Sequence, residues 1–173
     1  MDLYDAIKTR RSVRQYRDNP VPDDALKNIL EAARMAPSAE NSQDYKFVIV
    51  KDAATKKALA GAAEQRFIAE APIIIAGVSL KPDHLMDNEV PAYAVDLAIA
   101  FDHITLAAVQ EDLGTCWIGA FNQDKARRIL KIPDKYKIVA LMPLGTPYDE
   151  PGVKSRKKTS ELVSEEFFSE KNG

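Results

Sequence analysis

The stretch TRRSVRQYR, residues 9–17, sets four arginines and a serine within nine positions of a chain whose formal net charge is −2. Guanidinium forks, a hydroxyl and backbone N–H groups are the donor types that satisfy a phosphate dianion. Each such charge-assisted bond is worth about 1.5–3 kcal/mol. The same residues also suit a solvated charged turn or a nucleic-acid patch. A second basic run, KSRKK at residues 154–158, lies near the other end of the chain. Two further stretches carry chemistry. APSAENSQ (36–43) offers Ser38, Asn41, Ser42 and Gln43, whose donors and acceptors suit either the edge of a heterocycle or a capping turn. LGTCWIGAF (113–121) has two glycines that let backbone approach a ligand closely. It does not spell G-x-G-x-x-G and follows a helix rather than a strand, which excludes a Rossmann dinucleotide site.

Other chemistries lack their residues. His84 and His103 do not have a metal-ligand spacing, and there is no G-x-S-x-G. A single cysteine, Cys116, rules out an intrachain disulfide and reads as a small buried hydrophobe. Asp96 and Asp102 read as satisfied polar groups or interface contacts on an apolar helix rather than as a catalytic pair. No catalytic side chain and no metal ligand is assigned. The 24 Lys+Arg against 26 Asp+Glu argue against a nucleic-acid partner. The N-terminus lacks the apolar core of a signal peptide, and the apolar region 90–109 is interrupted by Asp96, Asp102 and His103. The expectation is a soluble cytoplasmic protein, one domain over residues 1–173, with no membrane partner.

Periodicity places the elements that must position these residues. A helix capped by Asp2 is predicted over 3–9, and a second from Asp23 or Asp24 towards Pro37, with Leu26, Ile29, Leu30 and Ala33 on one face. Helical segments are predicted from 53 to 70 with a break near Gly61. Residues 91–113 read as a long helix, apolar on nearly all sides, with Gly114 as its C-cap. A short helix is predicted over 123–130. KFVIV (46–50), IIIAGVSL (73–80) and KIVALMPLG (137–145) read as strands. Three or four strands among irregularly placed helices give an α+β fold, a sheet covered by helices. A helix of about six turns that is apolar all round has little room in so small a domain, which points to a subunit interface.

Taken in order, RRSVRQY, APSAENSQ, LGTCWIGAF and LMPLGTPYDEP…KSRKK resemble the FMN-dependent nitroreductase family over roughly residues 3–162. The resemblance implies a central, mostly antiparallel sheet covered by helices and an intertwined homodimer with FMN at the interface. It implies that Arg10, Arg11, Ser12 and Arg14 contact phosphate and ring from one subunit. Pro37, Ser38 and Asn41 would reach the same flavin from the other subunit, with Gln43 at the ring edge. The backbone of Ile118 and Gly119 would line the ring near N5, and Arg156 with Lys154 would return to the phosphate.

The implied chemistry is hydride transfer from NADH or NADPH through flavin N5 to a nitroaromatic, quinone or similar small acceptor. Arg14 is the implied cation beside N1. Two departures stand out. Asp44-Tyr45 follows the Gln where many members have Pro-Trp, and the chain is too compact for the extra helical excursion of longer relatives. The alternatives are a specialised FMN dehydrogenase, dehalogenase or ene-reductase of the same fold, and a nucleic-acid-binding module built on the two basic clusters.

Overall fold

The computed structural model describes residues 1–149, 151–153 and 155–170. Lys154, one of the expected phosphate ligands, lies outside the described residues. Four strands form one antiparallel sheet in the order β1-β2-β4-β3: β1 Tyr45–Val50, β2 Ile73–Ser79, β3 Gly114–Thr115 and β4 Lys137–Gly145. Its centre is buried on both faces, which is why β2 is a nearly unbroken apolar run and not an alternating one. Ile73 and Ile75 face one core, while Ile74, Ala76 and Val78 face the other. Gly77 pairs with Ala140 and Val78 with Ile138, so Val139 is an extra residue that bulges β4.

Among the described residues, five α-helices surround the sheet. The first core packs α2 (Asp23–Arg34) and α4 (Ala92–Gln110) through Leu26, Ile29, Leu97, Phe101 and Ile104. The second packs α3 (Ala53–Ala63) and α5 (Gln123–Leu130) through Leu59, Ala60, Ala63 and Ala126. The N-terminal α1 (Leu3–Thr9) starts at Asp2, whose carboxylate accepts the Asp5 N–H at 2.8 Å.

Two expected boundaries move. The break predicted near Gly61 falls three residues later, since α3 continues through Gly61 to Ala63. The chain turns at Glu64 instead, left-handed at φ 54°, and resumes as a 3-10 turn at Arg66–Ala69. Gly114 does not cap the long helix either. α4 ends at Gln110, and Asp112 takes the left-handed conformation at φ 56°. Gly114 is a glycine because it enters β3, where a Cβ would strike the side chain of Val13.

α4 is long and apolar enough to cross a membrane by length and composition. Ala92, Asp96, Leu97, Ala100, Phe101, Ile104 and Ala108 are instead buried within the protein. Val95, Ile99, Leu106 and Val109 are half-buried, whereas Ala94, Ala98 and Asp102 are exposed. Phe101 fits because Gly77 opposite it has no side chain; a Cβ there would meet the Phe101 ring. Gly77→Ala should therefore overpack this contact and destabilise the fold by about 1–3 kcal/mol. A urea midpoint shift checks this, and an unchanged midpoint would show that the ring has room to move.

Candidate active site

The arginine-bearing segment is extended, and it is stitched to the edge of the sheet. Val13 N–H donates to the Thr115 carbonyl at 2.9 Å, and Ser12 bridges Thr115 of β3 in parallel. Further on, Tyr16 bridges Pro147, Arg17 N–H donates to Thr146 O at 2.9 Å, and Tyr148 N–H donates to Gln15 O at 3.0 Å. Val13 and Tyr16 turn into the core, which leaves Ser12 and Arg14 on the outer side. The Tyr16 hydroxyl donates to Val13 O at 2.8 Å inside the core. Burial first, and then the nearby Cys116, push the ionisation of this phenol well above its ordinary value, against a smaller lowering by Arg14.

A cavity of about 450 Å³ opens beside this segment, lined by Lys8, Arg10, Arg11, Ser12 and Arg14. The returning C-terminal arm closes its other side with Pro151, Gly152, Val153 and Arg156. The described lining holds five cationic side chains and no carboxylate. Like charges this close repel one another, and a bound dianion would relieve that repulsion. The donor set fits a phosphate: several guanidinium groups and one hydroxyl. Arg11 is partly committed elsewhere, since its Nη1 donates to the Lys8 and Arg10 carbonyls at 2.5 and 2.9 Å and so closes the end of α1.

A second opening, of about 430 Å³, shares Arg10 and Ser12 and continues past Thr115 and Trp117 to Ala98, Asp102 and Thr105 on the outer face of α4. The two openings together suit a ligand with an anionic tail and a flat head. Trp117 is 43% exposed although its ring meets Phe101 edge-to-face at 5.1 Å. Ile118 commits both backbone groups to β4, donating to Leu141 O at 2.9 Å and accepting from Leu141 N–H at 3.0 Å. Its N–H is therefore taken, and the exposed backbone of this stretch is at Gly119, where a Cβ would lie 3.6 Å from the Trp117 indole nitrogen.

Pro37, Ser38, Asn41 and Gln43 line neither opening. They sit on the loop between α2 and β1, and Gln43 lines a separate cavity of about 430 Å³ with Tyr45 and Phe47. One chain thus holds two halves of the expected site in different places. The loop is internally bonded: Ser38 Oγ accepts the Gln43 N–H at 3.1 Å, and Gln43 Nε2 donates to the Asn41 carbonyl at 3.1 Å. Asp44, in place of the usual proline, turns away to pair with Lys81 at 2.9 Å, whereas Tyr45 joins the Gln43 cavity. Asp96 is buried and accepts the Ala39 N–H at 2.9 Å, and His103 Nδ1–H donates to Ala32 O at 3.0 Å; both are satisfied polar groups.

The nitroreductase family model matches residues 7–72 and 61–146. The chain belongs to the nitroreductase family. Among similar proteins, an NADH dehydrogenase of Thermus thermophilus is 32% identical, over 87% of this chain and 89% of that one. An FMN reductase (NAD(P)H) of Bacillus subtilis is 30% identical, over 90% and 70% respectively. Among solved structures, a nitroreductase family protein from Clostridium novyi NT superposes with a TM-score of 0.83 at 37% identity, covering 89% of each chain. The NADPH:FMN oxidoreductase of Vibrio harveyi, complexed with NAD+, gives 0.89 at 25% identity, over 98% of this chain and 79% of that one.

Measured against the family resemblance, Lys8 and Trp117 escaped the sequence reading. Lys8 stands two positions before Arg10 in the last turn of α1, and Trp117 is the one tryptophan of the chain. Both signals were in the sequence. Thr115 carried none, because its role depends on the pairing of Ser12 with β3.

The Tyr16 bond is the interior anchor of the arginine segment. Tyr16→Phe should cost about 1 kcal/mol near pH 8 by leaving the Val13 carbonyl without that donor. A phenol whose folded pKa is raised contributes fully below its unfolded value of about 10, and its contribution falls as pH climbs above that. The native protein should therefore lose stability above about pH 10 more steeply than the Phe variant. Denaturant titrations at pH 8 and 10.5 measure this, and parallel losses would contradict it.

Proposed function

We propose that this chain is an FMN-dependent NAD(P)H oxidoreductase that works as a cytoplasmic homodimer on a nitroaromatic, a quinone or a similar small acceptor. One observation carries the reading: cations from both ends of the chain line a single cavity whose described lining includes no carboxylate. The nitroreductase relatives support the choice of flavin and nicotinamide. In this reading Arg10, Ser12, Arg14 and Arg156 hold the FMN phosphate, and Lys8 adds charge to the same pocket. Arg11 contributes the part of its guanidinium that α1 does not use, and Lys154 belongs to the same group by sequence.

Arg10 and Ser12 stand at the junction of the two openings, so a ligand anchored there directs its flat head towards Thr115 and Trp117, with Gly119 two residues beyond and lining neither opening. When bound, the flavin supplies the hydride-transfer chemistry, and the protein binds and orients it. Arg14 lines the phosphate cavity and not the second opening, so Arg10, which borders both, provides positive charge beside the head in place of the Arg14 that the resemblance implied. A second copy supplies Pro37, Ser38, Asn41 and Gln43, which do not reach these openings within their own chain. Unpartnered apolar surface supports the dimer. Leu3, Tyr4 and Ile7 on α1 are at least half exposed, and Phe167 and Phe168 are almost wholly so.

Purified protein should be yellow, should release FMN rather than FAD on heating, and should be bleached by NADH or NADPH. Trp117 gives an intrinsic readout, since flavin bound beside it should quench the emission of the chain's one tryptophan. The double variant Arg10→Ala/Arg156→Ala should keep its fold and lose about 10²- to 10⁴-fold in FMN affinity, from two charge-assisted contacts. Unchanged affinity in that variant would mean that the phosphate lies elsewhere. A colourless protein that binds nucleic acid with steep salt dependence would replace the reading altogether.

A further inference from the structure

Glu40, Asn41 and Gln43 all have positive φ, at 54°, 54° and 53°. Three left-handed residues among four, none of them glycine, form a conformation that the chain does not favour by itself. Such backbone persists where surrounding contacts hold it. The bonds among Ser38, Asn41 and Gln43 shape the loop internally but do not attach it to the rest of the protein. Asp96 does. It lies in the first half of α4, 4% exposed, and its Oδ1 accepts the Ala39 N–H at 2.9 Å across a sequence separation of 57 residues. Ala39 opens the 3-10 turn that Ser38 precedes and Asn41 ends.

A buried carboxylate is an expensive way to fill a helix position that an apolar residue would fill at less cost to stability. Its charge is felt nearby: burial first, and then Asp96, push the Tyr45 hydroxyl above its ordinary ionisation range. We propose that Asp96 is a positioning residue, whose carboxylate fastens the Ala39 N–H and so fixes the strained loop in the shape that presents Ser38, Asn41 and Gln43. Its effect on ligand binding rests on the reading of that loop as the flavin-facing half of the site. Its effect on the loop does not.

The test uses Asp96→Ala and Asp96→Asn in the full-length protein, with two readouts. The first is backbone amide exchange at Ala39 in the ligand-free protein, and the second is FMN affinity by flavin fluorescence. Asp96→Ala should speed Ala39 exchange by at least about tenfold and weaken FMN binding by about 10- to 100-fold, with an unchanged far-UV spectrum. Asp96→Asn retains an oxygen acceptor and should restore both to within about threefold of the native protein, a rescue that loss of packing alone does not predict. Should the Ala variant fail to fold, the Asn variant carries the test: a loss of FMN affinity beyond about tenfold overturns the proposal. So do unchanged exchange in a folded Ala variant, or unchanged FMN affinity alongside fast exchange. If the native protein binds no FMN, the flavin reading fails, while the exchange measurement still decides whether Asp96 holds the loop.

Discussion

Mutual repulsion among Lys8, Arg10, Arg11, Arg14 and Arg156 is the constraint around which this protein is arranged. Left to themselves, such side chains would spread into water, where their charges are screened within about 10 Å. Lys8, Arg14 and Arg156 are exposed, but the fold pins the backbone of the arginine segment and so limits how far its charges can spread. Val13 and Tyr16 are sunk in the core, and Thr115, Thr146 and Tyr148 share hydrogen bonds with the segment that carries the arginines. Positive charge is thereby concentrated at one edge of the sheet. In the proposed function that unfavourable field is part of the binding device, and the stability of the sheet sustains it.

The same sheet couples the distant parts of the site. Gly77 makes room for Phe101, and Phe101 touches Phe47 on one side and Trp117 on the other, in edge-to-face contacts at 5.4 and 5.1 Å. α4 therefore has three tasks along one length. Its inner face fills the core, its outer face borders the opening beside Trp117, and Asp96 near its start reaches the loop before β1. A helix that is apolar nearly all round was expected to meet a partner. The structure shows one face buried within the chain, while Val95, Ile99, Leu106 and Val109 are only half-covered and are surface that the proposed dimer would bury.

Much of the layout was legible in the sequence because it rests on local rules. Asp2 as a cap, the run 137–145 as a strand and the helix at 123–130 follow from side-chain chemistry and periodicity, and their limits match those observed. The errors fell where tertiary contact overrides local preference. Gly114 was read as a helix cap but is small because Val13 presses against it, whereas the break expected near Gly61 fell three residues on, at Glu64. Left-handed Glu40, Asn41 and Gln43 were also invisible, since no glycine announces them. The grouping of Arg10 with Arg156 could be anticipated only through family resemblance, because residues so far apart in the chain carry no local signal of meeting. Trp117 and Lys8 were readable in kind, as a lone aromatic and one more cation, but not in place.

The central claim is that charge from both ends of the chain recognises a phosphate dianion, and comparing FMN with riboflavin isolates that charge. The two ligands share the ring system and differ at the phosphate. Calorimetric titration of the flavin-free protein at moderate salt should give riboflavin an affinity at least about 100-fold below that of FMN, consistent with the loss of two or more charge-assisted contacts. Equal affinities would mean that the cationic cavity is not where the flavin is held, and would contradict the account.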